Sequence, residues 1–305
     1  MTTPFDGITP LPHLGVIRAE GDDAVKFLHG QLTHDFALLD LQHARLTAFL
    51  SAKGRMQASF IGFKRSPTEV LLVCSRDLLT PTLKRISMFV MRAKAKLSDA
   101  SEEFLLYGLA GSAIEKVAGS AMQTSAKADL GNISIIGLPP ADTVPRALWV
   151  APAGTPAPEG TPLAEGVWAW GEVQSGVATL TAPLVDTFVP QMLNYESVDG
   201  VSFKKGCYPG QEVVARSQFR GAIKRRAFIA HADAPLHAGE EVFSAAEPEQ
   251  ACGMVAQTAP APGGGSDAIV VLQLSAAESG ALHAGSADGQ VLRLGTLPYA
   301  LKDDL

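Results

Sequence analysis

Short segments of alternating or continuous apolar residues run through the first two thirds of the chain. Residues 14–20 alternate and end at Gly21, which predicts a strand. Residues 45–51 and 55–63 flank Gly54 and predict a hairpin with this glycine at its tip. By the same criteria, strands are predicted near 70–75, 104–109, 133–137 and 147–151, and helices over 22–29, 78–90, 114–122 and 211–218.

The pattern changes near residue 227, where helical periodicity disappears. Short strand-like runs then recur, separated by Gly, Pro and Asp, which is typical of a small β-barrel. These runs are 227–231, 241–244, 252–257, 268–274 and 291–297. We therefore predict an α+β protein with an α+β region at 1–225 and a β-barrel domain at 226–305.

Composition supports a folded protein and limits its partners. Of the 305 residues, 47% are hydrophobic and only 18% are charged, which argues against global disorder. The net charge is −6, so general nucleic-acid binding is not expected. The N-terminal residues lack a secretory pattern, and no apolar segment approaches the ~18 residues of a membrane span. We expect a cytoplasmic protein with no membrane partner, and nothing in the sequence demands more than a monomer.

The three cysteines, Cys74, Cys207 and Cys252, are far apart and form no C-x-x-C pair. A disulfide framework is not expected, which fits a reducing compartment. An iron–sulfur cluster normally takes about four thiolates, more than this chain supplies. Cluster chemistry here would therefore mean helping another protein, with no permanently held metal.

One segment, residues 203–212, combines features of a reactive thiol. Cys207 lies between Gly206 and a Tyr-Pro-Gly turn, two lysines precede it, and a predicted helix follows. Cations and a helix N-terminus both favour thiolate over thiol. The alternative is a small buried cysteine, which we predict for Cys74 and Cys252.

Charge is also concentrated around this segment. Residues 204–226 hold seven basic side chains and one acid, a net charge of +6 against −12 for the remainder. This asymmetry indicates a site for an anionic ligand, although a solvated basic surface would have the same composition. The basic residues are Lys204, Lys205, Arg216, Arg220, Lys224, Arg225 and Arg226.

Residues 204–212 resemble the K-G-C-Y-x-G-Q-E signature of the YgfZ family, relatives of the glycine-cleavage T-protein, an aminomethyltransferase. The residues are Lys204-Lys205-Gly206-Cys207-Tyr208-Pro209-Gly210-Gln211-Glu212. The resemblance covers most of the chain. It extends to Gly30-Gln31-Leu32-Thr33-His34-Asp35, to Lys53-Gly54-Arg55, to Pro190-Gln191 and to Leu297-Pro298-Tyr299.

This resemblance implies a GcvT-like folate-binding fold of three subdomains around a central opening: two mixed α/β subdomains with antiparallel sheets and a C-terminal β-barrel. It implies that tetrahydrofolate is bound as a cofactor. It also implies a role in assembling or repairing [4Fe–4S] proteins, including enzymes that modify tRNA. Folate and client iron–sulfur proteins are then the expected partners, and Cys207 is the expected reactive residue.

The resemblance also marks expected ligand-site residues. Trp168 matches a family tryptophan that contacts folate, where an indole can stack on a flat ring; the alternative is a core tryptophan, as we expect for Trp170. Gln174 stands where the aminomethyltransferases carry a glutamate, and it offers an amide oxygen instead. Leu14 stands where some relatives have a second tryptophan. The predicted folate-binding residues are Trp168, Gln174, Lys205, Tyr208 and Arg216, with Lys53 and Arg55 as further candidates for the glutamate tail.

A departure from the T-protein pattern bears on activity. The aminomethyltransferases place paired aspartates on the hairpin strand after its glycine turn, whereas no Asp or Glu occurs here from Leu41 to Thr68. The resemblance therefore favours an accessory factor over an aminomethyltransferase or another one-carbon transferase. A second alternative is a tRNA-binding module that uses residues 204–226.

The histidines His29, His34 and His43 match no metal-ligand spacing and are predicted to be structural or surface residues.

Overall fold

A computed structural model describes residues 5–302 of the chain. Its strands in chain order are β1 (Gly7–Pro10), β2 (Leu14–Glu20), β3 (Ala44–Leu50), β4 (Met56–Ser66), β5 (Glu69–Ser75), β6 (Lys96–Asp99), β7 (Phe104–Ala110), β8 (Lys127–Leu130), β9 (Ile133–Ala141), β10 (Val144–Pro152), β11 (Arg225–Ala232), β12 (Glu241–Ser244), β13 (Glu247–Pro260), β14 (Ser266–Gln273), β15 (Leu282–Ala284) and β16 (Gln290–Leu294). Its α-helices are α1 (Ala24–His29), α2 (Arg76–Ser87), α3 (Ser112–Ala118), α4 (Val167–Gln174), α5 (Gln211–Phe219) and α6 (Leu274–Ser279). None of these helices is long and apolar enough to cross a bilayer.

Two antiparallel five-stranded sheets pack face to face. The first has the order β3-β4-β5-β2-β6 and the second β1-β7-β10-β9-β8. Successive side chains in a strand point to opposite faces, so Val73 of the first sheet and Leu148 of the second are buried together between the sheets. The outer face of the first sheet is covered by α1 and α2, and that of the second by α3. Each sheet is therefore buried on both faces.

The C-terminal region closes into a six-stranded antiparallel barrel of order β11-β14-β13-β12-β15-β16. Inward apolar residues such as Val255 and Val270 fill its interior. Other barrel residues, including Ile269 and Val271, share a core with Val173 of α4 and Leu193. The barrel is thus packed against the segment that leads from α4 to the Cys207 motif.

The predicted α+β class, with antiparallel sheets and a C-terminal barrel, is confirmed by this architecture. The barrel begins with β11 at Arg225. The division into folding units 1–225 and 226–305 stays a prediction.

Several local predictions were wrong. The pattern missed β1, β6, β8 and β15, which are only three or four residues long and show little alternation. It also missed α4 and the short α6 inside the barrel sequence. Helix α2 ends at Ser87 rather than Val90. Asp23 precedes α1 without capping it, because its carboxylate accepts the amide of Lys94 at 2.8 Å.

Candidate functional site

A cavity lies where the two sheets and α4 meet, and we call it the central cavity. It has a volume of about 70 Å³ and is partly open to solvent. Its walls are mostly apolar, with a few polar groups, as is usual for small-molecule sites. The apolar lining includes Leu11, Leu14, Leu46, Phe60, Ile61, Val73, Leu138 and Leu148, and the polar groups include Arg146, Glu172 and Ser59.

Trp168 is the predicted folate-binding residue that lines this cavity. It lies at the start of α4 and is 5% exposed. Its six-membered ring lies against Gly108 of β7 so closely that an added Cβ would be 2.5 Å from the ring. A ligand cannot stack on the area that Gly108 covers, so contact with the cavity must use the remaining edge and surface of the indole.

Two charged residues are fixed by the same indole. Trp168 Nε1 donates to Glu172 Oε1 at 3.0 Å, one turn further along α4. The Arg146 guanidinium carbon lies 5.3 Å from the Trp168 ring centroid, within cation–π range. Burial lowers the pKa of Arg146 to about 10. Neither residue was predicted, although the Trp168–Glu172 spacing of four is one that places helical neighbours together.

Gln174 does not line the central cavity. Its amide Nε2 donates to Asp267 Oδ2 of β14 at 2.7 Å, an oxygen that also accepts from Trp170 Nε1 at 2.7 Å. His231 Nδ1 lies 2.7 Å from the other Asp267 oxygen. Gln174 and Trp170 therefore attach α4 to the barrel, and Glu172 is the α4 side chain that brings a carboxyl group to the cavity.

The Cys207 thiol is exposed on the loop before α5. Its neighbour Lys205 is buried, and the ammonium donates to the backbone oxygens of His29 and Leu32, the latter at 2.7 Å. The same ammonium lies 4.5 Å from the centroid of the Tyr208 ring, which is also buried. Lys205 and Tyr208 thus hold the loop on both sides of the thiol, and Cys207 lies outside the lining of the central cavity.

His29 lies beside this loop. Its Nε2 is 3.7 Å from the position that a Cβ would take at Gly206, and its Nδ1 is 3.2 Å from Asp35 Oδ1. The sequence prediction of a structural or surface role did not place His29 near the thiol. Because residues 29 and 206 are far apart in the chain, no local pattern could have indicated this contact.

Two segments of the family resemblance meet at a contact between glycines. Gly54, at the hairpin tip, has φ +72°, and Gly210, before α5, has φ +79°. A Cβ on Gly210 would lie 2.6 Å from the backbone oxygen of Ser51 and 2.8 Å from the Gly54 Cα. Only glycine fits both the left-handed conformation and this close approach.

We expect Gly210→Ala to lower the free energy of unfolding by about 2 kcal/mol or more, because left-handed strain is added to a backbone clash. Gly119→Ala is the matched control: Gly119 has φ +76°, and nothing lies within 4 Å of its added Cβ. It should cost about 1 kcal/mol from strain alone. Urea unfolding of both variants measures the difference, and equal losses would contradict a role for the glycine contact.

Lys205 gives the stability a pH dependence. Burial lowers the pKa of this lysine to about 8 from its ordinary value of 10.5. Between these two values the unfolded chain binds more protons, so stability rises with pH, and this gain is lost as pH falls through 8. We expect the difference in unfolding free energy between wild type and Lys205→Met to shift in favour of wild type from pH 7.5 to pH 9.5. A pH-independent difference would contradict this prediction.

The basic segment 204–226 is divided between interior and surface. Lys205 and Arg226 are buried, the first on backbone oxygens and the second beside Glu196. Lys204, Arg216, Arg220 and Lys224 are exposed. Arg216 lies on the outer groove of α5 rather than in the central cavity. Of the five predicted folate-binding residues, all of which lie within residues 5–302, only Lys205 and Tyr208 are thus brought together.

Comparisons with known proteins place this architecture in a family. The chain is 31% identical over 232 residues to the tRNA-modifying protein YgfZ of Colwellia psychrerythraea, covering 72% of this chain and 69% of that protein. The chain belongs to the YgfZ family. The YgfZ protein of Sodalis glossinidius is 27% identical and matches over 98% of both chains. No protein-family model matches the chain.

A solved structure confirms the GcvT-like fold. The glycine cleavage system aminomethyltransferase T of Bartonella henselae superposes with a TM-score of 0.69, covering 98% of this chain and 88% of that one. Its sequence identity is 14%, so the likeness concerns the fold. The fold expected from the YgfZ resemblance is therefore the one observed.

Proposed function

We propose that this chain is a tetrahydrofolate-binding accessory protein for the assembly or repair of [4Fe–4S] proteins, and that it supports tRNA modification through such clients. The observation that carries the proposal is the exposed Cys207 thiol, held on a loop whose flanking side chains, Lys205 and Tyr208, are buried. Cys74 and Cys252 are buried, so Cys207 is the thiol that a client can reach.

The central cavity supports the folate part of the proposal. Its apolar walls suit a flat heterocycle, and the buried Arg146 Nη1 has no hydrogen-bond partner in the described chain, so a ligand can supply one. When bound, tetrahydrofolate would supply one-carbon or reducing chemistry. The Cys207 thiol would act as a nucleophile, a redox group or a transient cluster ligand.

The accessory role is tested in cells that lack this protein. Activity of a [4Fe–4S] tRNA-modifying enzyme should be low in these cells and restored by wild type. A normal amount of apo-enzyme with little bound iron would attribute the defect to the cluster. Normal cluster content in the absence of this protein would overturn the proposal.

Aminomethyl transfer is less well supported by the cavity. The hairpin strand β4 contributes Ser59, Phe60 and Ile61 to the lining, where the T-proteins are expected to carry a carboxylate. The Ser59 hydroxyl accepts the amide of Leu180 at 2.9 Å, a structural contact. Folate-dependent turnover of an aminomethyl donor by the purified protein would reinstate this activity.

Direct tRNA binding is a second candidate, favoured by the exposed basic residues around α5. Lys204, Arg216, Arg220 and Lys224 are exposed, with Glu212 as the acid among them. The relatives named tRNA-modifying proteins are compatible with either direct or indirect action on tRNA. Binding of tRNA whose affinity falls steeply with salt would support direct contact.

A further inference from the structure

Five exposed apolar side chains lie on three segments that are connected to the Cys207 loop by direct contacts. Their exposed fractions range from 43% for Phe89 to 88% for Met91. Single exposed apolar residues are common on soluble proteins, whereas a group of them around one site indicates a binding surface. We call this group the thiol rim, and its members are Leu38, Met88, Phe89, Met91 and Phe219.

Leu38 is connected to the loop through His29. The Leu38 amide donates to Asp35 Oδ1 at 2.9 Å, and this oxygen lies 3.2 Å from His29 Nδ1. His29 Nε2 is 3.7 Å from the position that a Cβ would take at Gly206, the residue before Cys207. Leu38 therefore lies beside the loop that presents the thiol.

Phe89 is connected to the loop by a series of three contacts. Its ring centroid lies 6.4 Å from that of Phe49. Phe49 pairs with Leu32 in an isolated β-bridge, and the Leu32 backbone oxygen accepts from the Lys205 ammonium at 2.7 Å. Lys205 is two residues before Cys207. Since a partner of standard size covers about 800 Å² of each surface, one partner can contact both Phe89 and the thiol.

Phe219 and Met91 extend the rim. The Phe219 ring centroid at the end of α5 lies 5.3 Å from that of Phe203, four residues before Cys207. Met91 has φ +40°, in the left-handed region that is unfavourable for a residue with a side chain. Because its side chain is exposed, packing of that side chain does not compensate for this strain, which is the kind of conformation found at functional surfaces.

The charges around the rim indicate the chemistry of the partner. Residues 84–94 contain four basic side chains and no acid, and Lys204, Arg216 and Arg220 are exposed near the thiol. A partner must therefore present acidic groups around an apolar patch. Leucine and methionine offer no flat ring on which a base could stack, so a protein fits this surface better than RNA. Exposed methionines are typical of surfaces that bind more than one partner.

We propose that the thiol rim is the docking surface for the apo form of a client [4Fe–4S] protein, which binds through an apolar patch bordered by acidic residues. Docking there brings the empty cluster site of the client to the Cys207 thiol. The proposal rests on the accessory function above and adds where on this chain the client binds.

The test uses the purified apo form of a [4Fe–4S] tRNA-modifying enzyme whose cluster content falls in cells lacking this protein. Calorimetry measures its affinity for the full chain. Leu38→Ser and Phe89→Ser should each weaken binding roughly 10-fold, because each removes an apolar contact from the interface. Val291→Ser is the matched control: Val291 is 52% exposed on the barrel strand β16, outside the rim, and this variant should bind like wild type.

A second set of readouts separates docking from folding. Met91→Gly removes a rim side chain and relieves the left-handed strain, so its melting temperature should equal or exceed that of wild type while it binds the apo-enzyme roughly 10-fold more weakly. The rate at which iodoacetamide alkylates Cys207 should be the same in all rim variants, because a small reagent needs no docking surface. Slower alkylation together with a lower melting temperature would show that the rim shapes the loop, and would overturn the proposal.

The binding outcomes also separate this proposal from the accessory function. Wild-type affinity in the rim variants would overturn the docking surface and leave the accessory function intact. Weaker binding of tRNA by these variants, with unchanged affinity for the apo-enzyme, would assign the surface to RNA and overturn the proposal. If cells lacking this protein keep normal cluster content, the accessory function itself fails, and the docking proposal fails with it.

Discussion

Cells that carry Cys207→Ala in place of wild type are expected to lose the support of [4Fe–4S] enzymes completely. The side chain is exposed, so its removal should change the free energy of unfolding by no more than about 0.5 kcal/mol. Loss of function with retained stability would assign the chemistry to the sulfur atom. The measurements are the activity of a [4Fe–4S] enzyme in cells lacking this protein and urea unfolding of the purified variant.

Cys252→Ala is the matched control for the loss of a thiol. Cys252 is 5% exposed in the barrel, so this change should cost about 1 kcal/mol and leave function intact. Cys207→Ser keeps the size of the side chain without its sulfur and should fail like alanine. Full rescue by Cys207→Ala would make the thiol dispensable and leave the central cavity as the functional site.

Arg226→Met is expected to cause the largest loss of stability, about 3–5 kcal/mol. The side chains of Arg226 and Glu196 form an ion pair and are only 3% and 0% exposed. Arg226 Nη2 also donates to the backbone oxygen of Lys302 at 3.1 Å. Removing the arginine leaves the Glu196 carboxylate buried without its cation. Urea unfolding of wild type and variant measures the effect.

Two controls separate burial from charge pairing. Arg293→Met breaks the exposed pair with Asp233 on the barrel and should cost about 1 kcal/mol or less. The double variant Glu196→Gln/Arg226→Met removes the orphaned charge and should recover most of the loss. A cost below about 1 kcal/mol for Arg226→Met would show that Glu196 is relieved by protonation or by water, and the predicted coupling would be wrong.

The buried pair also connects the Cys207 region with the barrel. Glu196 precedes the Cys207 loop, and Arg226 lies in the first barrel strand. Nearby, Asn194 Nδ2 donates to the backbone oxygen of Ala227 at 2.9 Å. The Tyr299 hydroxyl donates to the backbone oxygen of Gly176 at 2.7 Å. Loosening this junction should therefore affect the packing of α4 as well as the barrel.

Long periodic segments were predictable from the sequence because their patterns are local. Strand β2 matched residues 14–20, and the hairpin turned at Gly54 as predicted. The missed strands β6 and β8 are short, and their polar residues leave no clear alternation. Such segments become strands because neighbouring strands pair with them, which is information outside the segment.

Some features of the candidate site were likewise predictable from the sequence, and others were not. The motif around Cys207 was identified from residues 204–212, since its glycines, proline and lysines are contiguous. The observed burial of Lys205, Tyr208 and Arg226 was not predictable, because each depends on contacts with distant segments. The position of Gln174 against Asp267 likewise depends on how α4 meets the barrel.

The sequence by itself determined the α+β class, the C-terminal barrel and the YgfZ family, because each follows from periodicity or from a contiguous motif. Cys207 as the reactive residue stays a prediction from the same motif. Only the tertiary structure decided that Glu172 and Arg146 line the central cavity with Trp168, and that Gly210 meets Gly54. The physical reason is that side-chain direction and burial are set by packing between segments far apart in the chain. A local pattern specifies which elements form, and their packing decides which side chains face a ligand.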